Sequence, residues 1–178
     1  MRNAAKAYEG GYESLELPVK KLMAALGKAM WHFARIKEIT WYQWGLEAIT
    51  ASIHKLEHDC GEYIDRLKMV LTQEGLPLPY PSIPEYDSEP QNVVDAFNDC
   101  IDLIDEVNAA LSEFIDATDN DYWEPLARQA EEIQVINFKP KAWLNQTKVM
   151  AENGESMASL DKWFNEFFGA TKKQEIRF

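Results

Sequence analysis

His54, His58, Glu62 and Asp65 stand at offsets of four, four and three, the spacing that places side chains on one side of an α-helix. Imidazole nitrogen with carboxylate oxygen is a ligand mix that suits iron, zinc or manganese. Two of the chain's three histidines fall one helical turn apart here. The helix that carries them has an apolar stripe of Leu46, Ile49, Ile53, Leu56, Cys60, Tyr63, Leu67 and Val70. Relative to that stripe the four polar residues point outward, so a metal site on this face has to be completed by another helix or subunit. The same pattern also fits a solvated helix face or a salt-bridge face. Glu57 lies on the flank, closer to the core, and can point either way.

A second set of candidates is acidic. Between Lys68 and Arg128 there is no lysine or arginine, yet the interval holds fourteen carboxylates, from Glu74 to Glu124. The chain has 30 acids and 18 bases, so essentially all of its net charge of −12 belongs to this one third. Such a segment gathers cations or a basic partner. Asp95, Asp99, Asp102, Glu106, Glu113 and Asp116 form a ridge on one helix, either a cation-concentrating surface or simply a solvated face. His32, beside Trp31, reads as a packed histidine at the edge of the core. Trp41, Tyr42 and Trp44 read as core and interface aromatics. Glu131 and Glu132 are candidates to supply a carboxylate to the interior.

The elements that must position these groups are helical. Leu22, Met23, Leu26, Met30, Phe33 and Thr40 trace one face of a first helix over 18–44. Gly45 breaks it from the second helix, which Gly75 and Pro77, Pro79, Pro81 and Pro84 stop. Residues 75–90 form a connection too long for simple antiparallel neighbours, suited to crossing a bundle. A third helix over 91–117 carries two adjacent apolar stripes. Asp119, Asn120 and Asp121 make a turn and cap, and a fourth helix runs from about Tyr122 into the 150s. Pro140 should kink or break it. A short fifth helix over 156–168 follows. The expected organisation is an extension over 1–17, one all-α bundle domain over 18–168, and a basic frayed tail over 169–178.

Size and composition bound the function. A chain of 178 residues with 46% apolar content carries one domain with a substantial core. No apolar run approaches the roughly 20 residues of a membrane span, and the N-terminus lacks the apolar stretch of a secretory signal. The cytoplasm is the expected compartment, with Cys60 and Cys100 as reduced core thiols rather than a disulfide or redox pair. The negative balance argues against nucleic-acid binding except through the termini. There is no Gly-rich phosphate loop, zinc-spaced cysteine pair, Gly-x-Ser-x-Gly or HExxH.

Three short segments carry a resemblance. They are Gln43-Trp44, the run from Glu62 to Leu67 ending in Gly75-Leu76-Pro77, and Lys141-Ala142-Trp143-Leu144. With four long helices and a crossover after the second, the layout resembles the ferritin-like superfamily, and most of all its Dps branch. The resemblance implies a ferritin-like four-helix bundle with a short C-terminal fifth helix and a homo-oligomeric shell. It further implies iron or another divalent metal, with ferroxidase or peroxide-protection activity. Gln43 stands where Dps proteins have the histidine of His-Trp, and Met69 where a glutamate would follow Asp65. A standard Dps iron site is thus not present residue for residue; His54, His58, Glu62 and Asp65, singled out by their spacing, are the expected ligands of an alternative or displaced site between subunits, and the layout equally fits a ferritin-like scaffold that has lost its oxidation chemistry. A different class of function also suits the sequence. It is a non-enzymatic helical interaction protein, an inhibitor, immunity-like protein or nucleic-acid mimic, that binds a basic protein partner through the acidic segment 74–124.

Overall fold

In the computed structural model, the backbone is described for residues 12–82, 89–118 and 123–175. The apolar stripes form five helices: α1 (Tyr12–Tyr42), α2 (Glu47–Gln73), α3 (Val93–Thr118), α4 (Glu124–Glu152) and α5 (Met157–Glu175). Among the described residues there is no strand, and no helix is long and apolar enough to cross a membrane. The expected turn at Asp119, Asn120 and Asp121 lies outside the described residues, as do Pro84, Glu85 and Asp87.

Three helix boundaries or interruptions differ from expectation. α1 begins at Tyr12 and runs through Pro18. Leu15, Val19, Leu22, Leu26, Ala29, Phe33 and Ile36 make one continuous buried stripe. An interior proline costs about 3 kcal/mol, and burying Leu15 and Val19 at about 1.5–3 kcal/mol each offsets it. α4 continues through Pro140 without a break. Leu126, Ala130 and Ile133 before the proline and Leu144 and Thr147 after it are all buried, so packing holds both halves. α5 extends past Phe168 to Glu175, through alanine, lysines, glutamine and glutamate that favour helix.

The turns are set by backbone hydrogen bonds. At the end of α1, the Leu46 N–H donates to the Thr40 carbonyl at 3.0 Å across Gly45, whose φ is 66°. At the end of α2, Leu76 donates to Leu71 at 2.8 Å and Gly75, with φ 72°, donates to Thr72 at 3.1 Å. Both are left-handed helix stops that L side chains adopt only with strain. Leu46 and Leu76 follow them directly into the core. α3 is opened by a reciprocal cap: Asn92 Oδ1 accepts from the Asp95 N–H at 3.0 Å, while Asn92 Nδ2 donates to Asp95 Oδ2 at 2.8 Å.

Cross-helix pairs fix the directions. Lys21 reaches Glu113 and Lys28 reaches Glu106, each at 2.5 Å, so two turns forward on α1 match two turns back on α3. Gln134 donates to Ser112 at 2.9 Å and Lys141 pairs with Asp105, so α3 and α4 are antiparallel as well. Thr40 meets Thr50 at 2.9 Å and Lys37 meets Glu57 at 2.5 Å, which makes α1 and α2 antiparallel. α2 and α3 therefore point the same way, and the chain between Gln73 and Val93 has to return along the length of the bundle. Leu76 is buried along that return, Lys68 Nζ stands 5.9 Å from the Tyr80 ring centre, and Glu89 pairs with Arg35 at 2.9 Å. α5 packs across the start of α2. The Asp161 Oδ1 accepts from the Ala48 and Ile49 N–H groups at 2.9 and 3.0 Å, and Leu46 at the N-cap provides no side-chain bond of its own.

The candidate metal-binding face of α2

α2 turns its stripe of Ile49, Ile53, Leu56, Cys60, Tyr63, Leu67 and Leu71 into the core. His54, His58, Glu62 and Asp65 are all exposed, on the outward face that the sequence assigns them. The His54 and His58 rings stand 4.5 Å apart between centres, edge to face at 83°. Glu62 pairs with Arg66 one turn on, and Asp65 lies 3.8 Å from Lys68. The two carboxylates are thus engaged locally, and the four side chains spread over about 16 Å of helix. Among the described residues, no group of three or more histidine, cysteine, aspartate or glutamate side chains is placed to hold a metal ion. Within one chain, the two imidazoles are a close pair of candidate donors.

Glu57 resolves its position on the flank by turning toward α1. Its Oε2 accepts from Lys37 Nζ at 2.5 Å and stands 2.9 Å from His54 Nδ1. Lys37 Nζ also lies 3.3 Å from that nitrogen. Burial works to raise the Glu57 carboxyl, but the hydrogen bonds from Lys37 and His54, with the charges behind them, outweigh it and hold the group below the usual 4.5. Glu57 is therefore ionised at neutral pH and can only accept. Lys37 and Met30 were not legible as partners of this face, because both sit on α1 and meet it only through the α1–α2 pairing.

An open groove of about 620 Å³ runs beside the histidines, lined by Met30 of α1 and by Glu57, His58, Gly61, Glu62, Asp65, Arg66 and Met69 of α2. Its depth follows from Gly61, where an added Cβ would come 3.7 Å from Met30 Sδ. Trp31 and Met69 are more than half exposed.

The ridge on α3 has a different character. Glu106 and Glu113 pair with lysines of α1, Asp105 pairs with Lys141 of α4, and Asp95 is spent in the helix cap. Asp102 and Asp116 are exposed. Glu131 and Glu132, expected as candidates for the interior, both face solvent on α4 while Ile133 takes the buried position. His32 is buried, as its place at the core edge suggested. Cys60 and Cys100 are free and buried. Burial, with some help from Asp59, pushes the Cys60 thiol up to about 12. Cys100 is raised for the same reason beside Asp99. Thiols in that state are poor nucleophiles and poor metal ligands.

No protein-family model matches the chain, and no curated protein matches it.

Proposed function

We propose that the chain is a ferritin-like bundle that binds a divalent metal ion on the outward face of α2. Two features support the scaffold: α2 and α3 run in the same direction, and a long return separates them, which is the connectivity of the superfamily that the sequence resembles. Scaffold alone does not set activity, so the reading rests on the histidine pair. The observation that carries it is the 4.5 Å approach of His54 and His58 at the solvent, with Glu57 behind the nearer ring. Fe(II) oxidation or peroxide protection would need further carboxylate ligands, and a second copy of the chain would have to bring them to this face.

The test is metal content measured with particle size. Protein purified after growth with supplemented iron, zinc and copper should hold about one metal per chain, lost in the His54→Ala/His58→Ala variant. Metal retained unchanged by that variant, or none taken up by the apo protein at millimolar metal, rejects the reading.

The second reading, an acidic interaction protein, is supported by the exposed Asp102 and Asp116 on α3. It is weakened by the lysines of α1 and α4 that engage Glu106, Glu113 and Asp105. A basic partner captured by the whole chain and released at moderate salt would favour it.

A further inference from the structure

On the metal-binding reading, we infer that the site is a bis-imidazole chelate for a late first-row divalent ion, Cu(II) before Zn(II), with Glu57 as the residue that sets the donor nitrogen of His54. Glu57 Oε2 already accepts from Lys37 Nζ at 2.5 Å, and its 2.9 Å contact with His54 Nδ1 is a hydrogen bond when the imidazole nitrogen carries the hydrogen. Lys37 ties the same carboxylate oxygen to α1 at 2.5 Å and itself stands 3.3 Å from His54 Nδ1, so the three groups form one compact cluster. With Nδ1 giving its hydrogen to Glu57, the neutral His54 ring keeps its lone pair on Nε2. A carboxylate behind a ligating histidine both orients the ring and strengthens it as a donor.

The second donor comes from His58, one turn away. The ring centres stand 4.5 Å apart, edge to face at 83°, close enough for rotation about the side-chain bonds to bring one nitrogen of each ring within about 2.0–2.1 Å of a shared ion. The carboxylates along this face are paired with cations, Glu62 with Arg66 and Asp65 with Lys68 at the surface and Glu57 with Lys37 in the least exposed of the three pairs. What remains is imidazole with open positions for water, and such a site follows the order in which Cu(II) exceeds Zn(II) and Zn(II) exceeds Fe(II).

The experiment is competitive titration of the full-length apo protein with Cu(II), Zn(II) and, without oxygen, Fe(II). It is paired with the Cu(II) paramagnetic spectrum and ¹⁵N spectra of the metal-free imidazoles. The expected result is one ion per chain in the stated order, with nitrogen hyperfine structure from two imidazoles. His54→Ala and His58→Ala should each remove that signature, and His58→Ala should do so while the thermal transition stays unchanged. Glu57→Gln should weaken Cu(II) about 10–100-fold and move the ¹⁵N spectrum of metal-free His54 away from the Nδ1–H form. Fe(II) bound more tightly than Zn(II), or Glu57→Gln that leaves both tautomer and Cu(II) affinity unchanged, overturns this inference and leaves the metal-binding reading standing. Failure of all three ions to bind overturns both.

Discussion

The outward faces of α2 and α3 look alike in sequence, each a polar stripe beside an apolar one, yet the structure uses them in opposite ways. On α3 the carboxylates act inward across the bundle: Glu113 and Glu106 take Lys21 and Lys28, and Asp105 takes Lys141. On α2 the outward charges settle with neighbours on their own helix, Lys55 with Asp59 and Arg66 with Glu62. Glu57 reaches across instead, to Lys37, beside His54. Charge counted along the chain is therefore a poor guide to charge displayed at the surface. The stretch without a base is partly neutralised by bases that lie far away in sequence.

The largest effect should come from breaking the ion pair between Lys37 of α1 and Glu57 of α2. Lys37 and Glu57 keep only 24% and 23% of their side-chain surface exposed. Lys37→Met strips the carboxylate of its main donor and should cost about 2 kcal/mol in urea unfolding, the scale of a hydrogen bond to a charged group. The sign of the pH dependence follows from the lowered Glu57 carboxyl. Stability from a depressed carboxyl is present above its unfolded value and lost as pH falls through the folded one. The gap between wild type and Glu57→Gln should thus be constant near neutrality and close below the usual 4.5. A gap that widens in acid would contradict this account of the cluster.

A smaller loss should follow from freeing the start of α2. Asp161 of α5 caps two N–H groups there that Leu46 leaves without a side-chain partner. Asp161→Ala should cost about 1 kcal/mol, as loss of a helix cap does, and Asp161→Asn less. Amide exchange at Ala48 and Ile49 should speed up while exchange in α3 stays protected. Equal loosening of both helices would mean that α5 clamps the whole bundle rather than the α2 face.

The parts of this comparison that could be read from sequence are those written at short range. Periods of three and four gave the helices, Gly45 and Gly75 their stops, and the offsets of His54, His58, Glu62 and Asp65 their common exposed side. What stayed hidden depends on contacts distant in sequence. Pro18 and Pro140 were expected to bound or interrupt helices because local propensity speaks against them, whereas burial of Leu15 on one side and Leu144 on the other keeps the helices going. The engagement of the α3 ridge and the orientation of Glu57 both required knowing which helices are neighbours. Glu131 and Glu132, candidates for the interior with Ile133 and the core stripe beside them, face solvent, since one step along a helix turns a side chain by about 100°.

The subtlest test separates the two faces by salt. The ion pairs from α1 to α3 are open to water: Lys21 and Glu113 retain 49% and 53% of their side-chain surface, and Lys28 and Glu106 retain 28% and 47%. Exposed pairs contribute about 0.2–1 kcal/mol each and are screened by salt. Glu106→Gln/Glu113→Gln should therefore lose about 1 kcal/mol in dilute buffer, and most of that difference should vanish at about 0.5 M sodium chloride, where the screening length is only a few ångströms. Lys37→Met should keep its deficit at the same salt, because water and ions reach that pair poorly. If both variants respond alike, the ladder on α3 and the cluster on α2 are the same kind of interaction, and the contrast between an exposed ladder of ion pairs and a shielded one loses its physical basis.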